Sequence, residues 1–249
     1  MEETKQHLKK CHSVEETKSI KNKEENYRLI PTNNELKALD LENGKNDVLF
    51  VIEKSKSPVI GRIFLWNWDV RLIVSDIDGT ITKSDFRGQI MPLLGNDWSQ
   101  PGVARLFTEI HRNGYEFLYL SCRPLLISNT TRNYIGMIKQ GEYVLPLGPI
   151  MVSPNALLSA ITMEVLKKNP HKYKIPVLKR ITELFPDGCN PFFGAYGNKV
   201  TDSLSYKSVG ITENNIYLIN KKGVVSCKGK AEETTYAKLT ENVSILFPK

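Results

Sequence analysis

Two aspartates separated by one residue, Asp76 and Asp78, are the side chains best suited to phosphoryl-group chemistry. Asp76 can hold a hard divalent cation through one carboxylate oxygen and attack phosphorus with the other. Asp78 can direct its side chain to a leaving-group oxygen and its backbone carbonyl to the metal. Gly79 permits a tight turn after the pair, and the hydroxyl of Thr80 can hydrogen-bond back to fix the loop. Because these are also ordinary turn residues, a polar loop or a helix cap is the simpler alternative.

The residues in front of this pair favour a functional site. Residues 72–74 form a short apolar, β-branched run, which predicts a strand buried on both faces of a parallel sheet. Open α/β sheets bind ligands beyond the carboxyl ends of such strands, and the two aspartates follow directly. Each carboxylate would be costly to desolvate there unless a cation or a proton neutralised it.

Two further places could contribute to a phosphoryl-transfer site, which needs donors for the non-bridging oxygens and a cation near the charge. Ser121 closes a predicted strand, and its hydroxyl and the following backbone N–H could hold a phosphoryl oxygen, although a strand-end turn is the simpler explanation. Arg123 could contact phosphate or brace the site. Lys174 lies at a predicted helix start, with Lys172 and Lys179 as competitors; an exposed charge is the ordinary role of lysine.

The elements that would position these residues alternate along the chain. Apolar residues at helical spacing predict four helices, over residues 101–113, 130–139, 155–168 and 174–185. Short β-rich runs predict strands over residues 115–120, 148–152, 192–196 and 216–219. This alternation indicates an α/β fold with a doubly wound parallel sheet. Pro176 is expected in the first turn of its helix, and a closing helix is expected over residues 236–246.

The part of the chain before residue 69 differs in composition. Residues 1–30 mix Lys and Glu with few apolar residues, which predicts a disordered tail; a basic arm that binds a membrane or a partner is the alternative. Residues 48–52 and 60–66 are β-rich, but so few strands cannot bury a face alone. We therefore expect a tail over 1–30, a β appendage over 31–68 and a catalytic domain over 69–249.

Composition narrows the class of protein. The 249 residues, 41% apolar and 24% charged, are typical of a soluble globular protein, and the net charge of +7 suits anionic partners. No aromatic-basic pattern supports nucleic-acid binding, so we expect no nucleic-acid partner. The four cysteines lack Cys-x-x-Cys spacing, which predicts reduced thiols. No run approaches the ~20 apolar residues of a membrane span, and no signal-peptide core is present, so a lipid would be reached from the water side.

These segments resemble, in order, the four motifs of the haloacid dehalogenase superfamily of phosphotransferases. The acidic pair, Asp76 and Asp78, is preceded by the segment Trp-Asn-Trp-Asp-Val and followed by Thr-Lys-Ser-Asp and Gly-Asn-Asp-Trp. These three segments are similar to the catalytic domain of the lipin family. Residues 194–206, Gly-Ala-Tyr-Gly-Asn-Lys-Val-Thr-Asp-Ser-Leu-Ser-Tyr, look like the lipin form of the fourth motif. Lipins are magnesium-dependent phosphatidate phosphatases, and the resemblance covers roughly residues 36–247.

The resemblance implies a role for each motif residue. Asp76 would be the nucleophile that forms an aspartyl-phosphate, and Asp78 the general acid and then the general base. Lys174 would neutralise the nucleophile and the incoming phosphate. The expected catalytic residues are Asp76, Asp78, Thr80, Ser121 and Lys174. The expected substrate-binding residues are Gly79, Ser121, Arg123 and Lys174.

The resemblance also implies a Mg²⁺ site. Asn198 stands where the wider superfamily usually has Asp, so its amide oxygen would be a ligand, with Asp202 as a ligand or an anchor behind it. The expected ligands are Asp76, the Asp78 carbonyl, Asn198 and Asp202. Lys199 replaces an arginine common in lipins, which preserves the charge but loses the guanidinium fork. Residues 124–127 are less polar than in the family, so substrate contacts there are expected to differ.

For the whole chain, the resemblance implies a haloacid dehalogenase-like Rossmannoid domain preceded by a partial immunoglobulin-like β unit. The family completes that unit with a conserved N-terminal segment that has no recognisable counterpart in this sequence. The expected activity is hydrolysis of phosphatidate in membranes to diacylglycerol and phosphate, for glycerolipid synthesis. The protein would be cytoplasmic and peripherally associated with the endoplasmic reticulum or nuclear membrane, or nuclear. The alternatives are a protein phosphatase of the same superfamily, and a lipid-sensing module that binds phosphatidate without turnover.

Overall fold

The computed structural model describes residues 31–51, 58–83, 98–153, 169–228 and 233–249. The chain divides into two units, residues 1–40 and residues 41–249. The described part of the first unit contains one short helix, α1 (Asn33–Lys37), which begins with a capping box between Thr32 and Glu35. The predicted tail over residues 1–30 lies outside the described residues.

The second unit begins with an antiparallel strand pair, β1 (Gly44–Phe50) and β2 (Val59–Leu65). Both strands predicted in this region are present, and β1 starts four residues earlier than residue 48, because partly buried and exposed residues already alternate from Gly44 and pair with β2. Trp66, just after β2, packs against buried residues of the central sheet.

The central sheet contains six strands in the described part of the chain. In spatial order they are β7 (Ile150–Ser153), β4 (Tyr115–Pro124), β3 (Arg71–Asp76), β8 (Phe192–Gly197), β9 (Ile216–Ile219) and β10 (Val225–Cys227). All neighbours are parallel except β9 and β10. The predicted α/β fold with a mostly parallel sheet is therefore confirmed. A short antiparallel hairpin is separate from this sheet. Its strands, β5 (Lys139–Gln140) and β6 (Tyr143–Val144), have two residues each.

Helices cover both faces of the sheet, because side chains of β3 alternate between two buried clusters. The helices of this unit are α2 (Val103–Arg112), α3 (Ser128–Met137), α4 (His171–Thr182), α5 (Val200–Lys207), α6 (Tyr236–Glu241) and α7 (Val243–Leu246). Ile73 packs in the cluster that contains residues of α2, α3, α6 and α7. Leu72 and Val74 pack in the cluster that contains residues of α4 and α5. Among the described helices, none is both long enough and apolar enough to cross a bilayer.

Some boundaries differ from the predictions. Helix α4 begins at His171, so Pro176 lies in its second turn and not in its first. Because proline has no N–H, the carbonyl of Lys172 has no helical donor there. The closing helix is two short helices that meet at Asn242. Helix α5 and strand β10 were not predicted, because α5 is rich in Ser, Thr and Asp and β10 has three residues. The predicted helix over residues 155–168 lies outside the described residues.

Candidate active site

The predicted site residues come together at the carboxyl edge of the central sheet. Strand β3 ends at Asp76, and β8 ends at Gly197, directly before Asn198. Strands β4 and β7 lie on one side of β3, whereas β8, β9 and β10 lie on the other, so the chain reverses its direction of progress between β3 and β8. A crevice at such a reversal is where open α/β sheets bind ligands.

The centre of the site is a lysine shared by two carboxylates. The ammonium nitrogen of Lys174 donates hydrogen bonds to Oδ1 of Asp76 at 2.5 Å and to Oδ1 of Asp202 at 2.7 Å. All three side chains are buried, at most 8% exposed. Of the three lysines considered for this role, Lys174 is therefore the one that reaches Asp76, whereas Lys172 and Lys179 are exposed.

Burial and charge act in opposite directions on these groups. Burial alone would lower the pKa of Lys174, but the carboxylates of Asp76 and Asp202 outweigh it and raise that pKa well above its ordinary value. Burial also raises the pKa of Asp76, to about 7, because Lys174 opposes this effect only in part and Asp202 and Asp78 add to it. Two desolvated carboxylates around one ammonium leave an excess of negative charge, which a further cation would offset.

A tight turn follows Asp76 and fixes its carboxylate. The hydroxyl of Thr80 lies 3.3 Å from Oδ2 of Asp76, as the predicted loop lock requires. Gly79 has φ of 84°, a left-handed conformation that favours glycine. Two residues that hydrogen-bond to this turn were not predicted. The Thr82 hydroxyl accepts from the Gly79 N–H at 3.0 Å, and the Tyr236 hydroxyl donates to the Thr80 carbonyl at 3.1 Å. The Thr-x-Thr spacing could have indicated the first, whereas no local signal indicates the second.

Asp78 is held by residues from β4. The Arg123 guanidinium donates to Asp78 through Nε at 3.1 Å and Nη2 at 2.7 Å, and the Ser121 hydroxyl donates to Asp78 at 3.2 Å. Of the two roles expected for Arg123, the bracing contact is the one observed. Behind it, the buried hydroxyl of Thr131, also not predicted, lies 3.3 Å from Nη1 of Arg123 and donates to the Ile127 carbonyl.

The turn from β8 to α5 is organised by Asp202. Its Oδ2 accepts from the backbone N–H groups of Asn198 and Lys199, both at 3.0 Å, while its Oδ1 accepts from Lys174. A methyl group on Gly197 would come within 2.6 Å of the Asp202 Cβ, so glycine is needed for this close approach. Because both oxygens of Asp202 are engaged, the geometry favours an anchoring role, and its role as a metal ligand stays a prediction.

The donor set at this edge fits a hard divalent cation. It offers the Asp76 carboxylate, the backbone carbonyl of Asp78 and the Asn198 amide, all of them oxygen ligands, beside an excess of negative charge. No group of three or more His, Cys, Asp or Glu side chains in the described ranges is placed to hold a metal. A cation here would therefore depend on backbone and amide oxygens and on water, as Mg²⁺ often does.

Comparison with known proteins agrees with the motif assignment. The family model LNS2 (Lipin/Ned1/Smp2) matches residues 27–248. The chain is 41% identical over 223 residues to "Phosphatidate phosphatase PAH1" of Arabidopsis thaliana, covering 88% of this chain and 25% of that protein. It is 42% identical over 221 residues to "Phosphatidate phosphatase LPIN1" of Homo sapiens, covering 87% and 25%.

A yeast protein gives the same result: "Phosphatidic acid phosphohydrolase 1" of Saccharomyces cerevisiae is 41% identical over 230 residues, covering 87% of this chain and 27% of that protein. The chain thus spans about a quarter of the length of these relatives. Since the family model covers most of its residues, the chain belongs to the LNS2 (Lipin/Ned1/Smp2) family.

Proposed function

We propose that this chain carries the catalytic site of a Mg²⁺-dependent phosphatidate phosphatase, which hydrolyses phosphatidate to diacylglycerol and phosphate in glycerolipid synthesis. Family membership and the names of the relatives support the substrate. The observation that carries the chemistry is the buried Asp76 carboxylate, held by Lys174 and Thr80 at the end of the central strand beside Asp78.

Asp76 is the nucleophile in this proposal. A carboxylate oxygen of Asp76 attacks phosphorus in line, the new oxygen–phosphorus bond forms, and the bond to the diacylglycerol oxygen breaks. Lys174 keeps Asp76 in one orientation and offsets part of the charge that accumulates as the phosphate enters. Water then hydrolyses the aspartyl-phosphate and releases inorganic phosphate.

Asp78 carries the proton. It donates a proton to the departing diacylglycerol oxygen and later removes one from the hydrolytic water. In the structure its carboxylate accepts hydrogen bonds from Arg123 and Ser121. We infer that substrate phosphate draws the Arg123 guanidinium and the Ser121 hydroxyl towards itself, which releases Asp78 to carry the proton.

Asp76, the Asp78 carbonyl and Asn198 would hold Mg²⁺, with Asp202 as the anchor of the Asn198 turn or as a further ligand. When bound, the ion supplies positive charge that offsets the phosphate and the carboxylates. Without a cation, the burial that raises the Asp76 pKa to about 7 leaves part of the nucleophile protonated at neutral pH.

The test is phosphate release from phosphatidate with Mg²⁺ by the wild type, Asp76→Asn and Asp78→Asn. We expect each variant to lose at least about 10³-fold in rate, because each removes a group that acts on the reacting atoms. Asp187→Asn, which changes an exposed carboxylate in the turn before β8, should retain activity. Full turnover by Asp76→Asn or Asp78→Asn would refute these roles.

Two parallel measurements separate the alternatives. Turnover of phosphopeptides but not of phosphatidate would identify a protein phosphatase. Binding of phosphatidate liposomes without phosphate release by the wild type would identify a lipid-sensing module.

We also infer the finer assignments of fold, domains and location. The order of the sheet supports a haloacid dehalogenase-like Rossmannoid domain over residues 69–249, and the antiparallel pair β1–β2 supports an immunoglobulin-like unit within residues 31–68. A membrane-resident substrate supports peripheral association with the endoplasmic reticulum or nuclear membrane from the cytoplasmic or nuclear side. Fluorescence microscopy of the tagged chain, as the wild type and as the Asp76→Asn variant, would test the location.

A further inference from the structure

Large apolar side chains stand exposed around the candidate active site. We call them the apolar rim: Trp98 (47% exposed), Leu125 (47%), Val200 (73%) and Leu204 (48%). Each is close in the chain to a site element. The carbonyl of Trp98 accepts from the Lys83 N–H after the catalytic turn, Leu125 lies two residues after Arg123, and Val200 lies two residues after Asn198.

The topology places the apolar rim at one edge of the sheet. Helices α2, α3 and α5 each begin near the carboxyl end of the strand that precedes them in the chain, so their first residues share that edge with the site. The bridge between Thr82 and Ser99 holds Trp98 beside the turn that follows Asp76. Val200 and Leu204, four residues apart on α5, lie on one face of that helix.

Among the described residues at this edge, the exposed charged side chains are basic. The described segments at the carboxyl edge are residues 77–83, 98–102, 121–131, 169–174 and 197–204. They expose Lys83, Lys172 and Lys199, and within these segments no carboxylate is exposed, because Asp78 is partly buried against Arg123 and Asp202 is buried. Apolar side chains interspersed with lysines match the interface of an anionic bilayer, where the side chains enter the acyl boundary and the cations meet headgroup phosphates.

We propose that the apolar rim and its lysines dock this edge of the sheet on an anionic lipid bilayer, so that the active site opens onto the headgroup layer. The proposal rests on the proposed function, since a substrate with two acyl chains then reaches Asp76 without leaving the membrane. Burying these side chains in lipid also removes apolar surface from water, which supplies the free energy of docking.

Other exposed apolar residues provide matched controls. Leu184 (81% exposed) and Ile245 (79%) are more exposed than every residue of the rim. They lie towards the opposite edge: Leu184 follows α4 on the way to the start of β8, and Ile245 is close in the chain to Pro248, whose carbonyl accepts from Arg71 at the start of β3. Equal loss of apolar surface there should leave docking unchanged.

The first test is co-sedimentation with phosphatidylcholine vesicles, with and without phosphatidate. We expect the wild type to bind the anionic vesicles, and the rim variant V200S/L204S to bind at least about tenfold more weakly, because each lost side chain removes about tenfold in partitioning. The control L184S/I245S should bind within about twofold of the wild type. Equal binding by the rim variant and the wild type would overturn the proposal.

The second test compares the wild type with a single aromatic substitution, so its outcome does not depend on a change in folding stability. Lipids brominated on their acyl chains quench tryptophans that enter the bilayer, so anionic vesicles of this kind should quench the wild type more than Trp98→Phe. Trp66 and Trp68 are present in both proteins and serve as an internal reference. Equal fractional quenching of the two proteins would contradict insertion of Trp98.

A soluble substrate separates this proposal from the proposed function. With monomeric short-chain phosphatidate, the rim variant should release phosphate within about twofold of the wild-type rate, while its turnover on vesicles falls with its binding. If the wild type hydrolyses neither form, the proposed function fails and vesicle binding still decides the docking. If it hydrolyses both forms without binding vesicles, the docking fails and the function stands.

Discussion

The Arg123 guanidinium and the Asp78 carboxylate form a two-nitrogen ion pair, with Nε 3.1 Å and Nη2 2.7 Å from Oδ1 of Asp78. The pair joins the first motif to the end of the neighbouring strand, so the group proposed to carry the proton is positioned by a residue 45 positions away. An arginine in this place provides a planar fork that no other side chain reproduces.

Replacing this arginine should therefore lower catalysis even when the charge is kept. We expect Arg123→Lys to reduce kcat by about 10-fold and Arg123→Ala by about 100-fold on phosphatidate, because the lysine retains one contact and the alanine none. Arg180→Ala, at an exposed position of α4, is the matched control. Phosphate release measures the effect, and full activity of Arg123→Ala would show that Asp78 needs no brace.

Truncating the central lysine should destabilise the fold. Lys174→Met leaves the carboxylates of Asp76 and Asp202 buried without their ammonium, which costs about 3–5 kcal/mol of the free energy of unfolding. Adding Asp202→Asn should recover part of this loss, because one uncompensated charge disappears. Urea unfolding of the single and double variants measures both terms. Additive losses would show that the two side chains are not coupled.

The raised pKa of Asp76 predicts how stability depends on pH. Its folded value of about 7 lies above the ordinary 3.8, so the native state binds more protons than the unfolded state between those values. In metal-free protein, the free energy of unfolding should fall as pH rises from about 4 to about 7, with this group contributing a slope of at most about 1.4 kcal/mol per pH unit.

Asp76→Asn isolates this contribution, because the amide does not titrate. Urea unfolding in EDTA across that pH range should give a smaller decline for the variant than for the wild type. Identical slopes would show that Asp76 titrates alike in the folded and unfolded states.

The glycine before Asn198 should not tolerate a side chain. Gly197→Ala brings a methyl group to within 2.6 Å of the Asp202 Cβ, which must shift, and we expect a loss of about 1–3 kcal/mol in unfolding free energy together with reduced activity. Gly136→Ala is the control, because its added methyl would meet no atom within 4 Å and α3 gains a better helix former. Calorimetry should show a lower Tm for the first variant and an unchanged or higher Tm for the second.

Local patterns predicted the parts of the molecule that depend on near neighbours. The strand that ends at Asp76 was evident from its apolar run, and the parallel sheet from the alternation of elements. The four motifs indicated which residues to expect together, including Lys174. Boundaries were less well predicted, as Pro176 shows, because α4 has no side-chain cap and so no cap signal marks its start at His171.

Several contacts made across turns were not predicted, although the residues lie within eight positions of each other. Thr131 reaches Arg123 only because α3 folds back beside β4, and its sequence neighbours give no sign of it. The two backbone contacts of Asp202 depend on an unpredicted helix, α5, whose polar composition hid its periodicity.

The hydrogen bond from the Tyr236 hydroxyl to the Thr80 carbonyl spans 156 positions and ties the catalytic turn to a helix near the end of the chain. During synthesis, both aspartates, the lysine and the arginine leave the ribosome before this tyrosine does. All the reacting groups are therefore synthesised before the residue that fastens their turn, and this hydrogen bond forms only once α6 has docked. A version shortened ahead of that helix would retain every reacting group and still lack the tether that keeps the turn in shape.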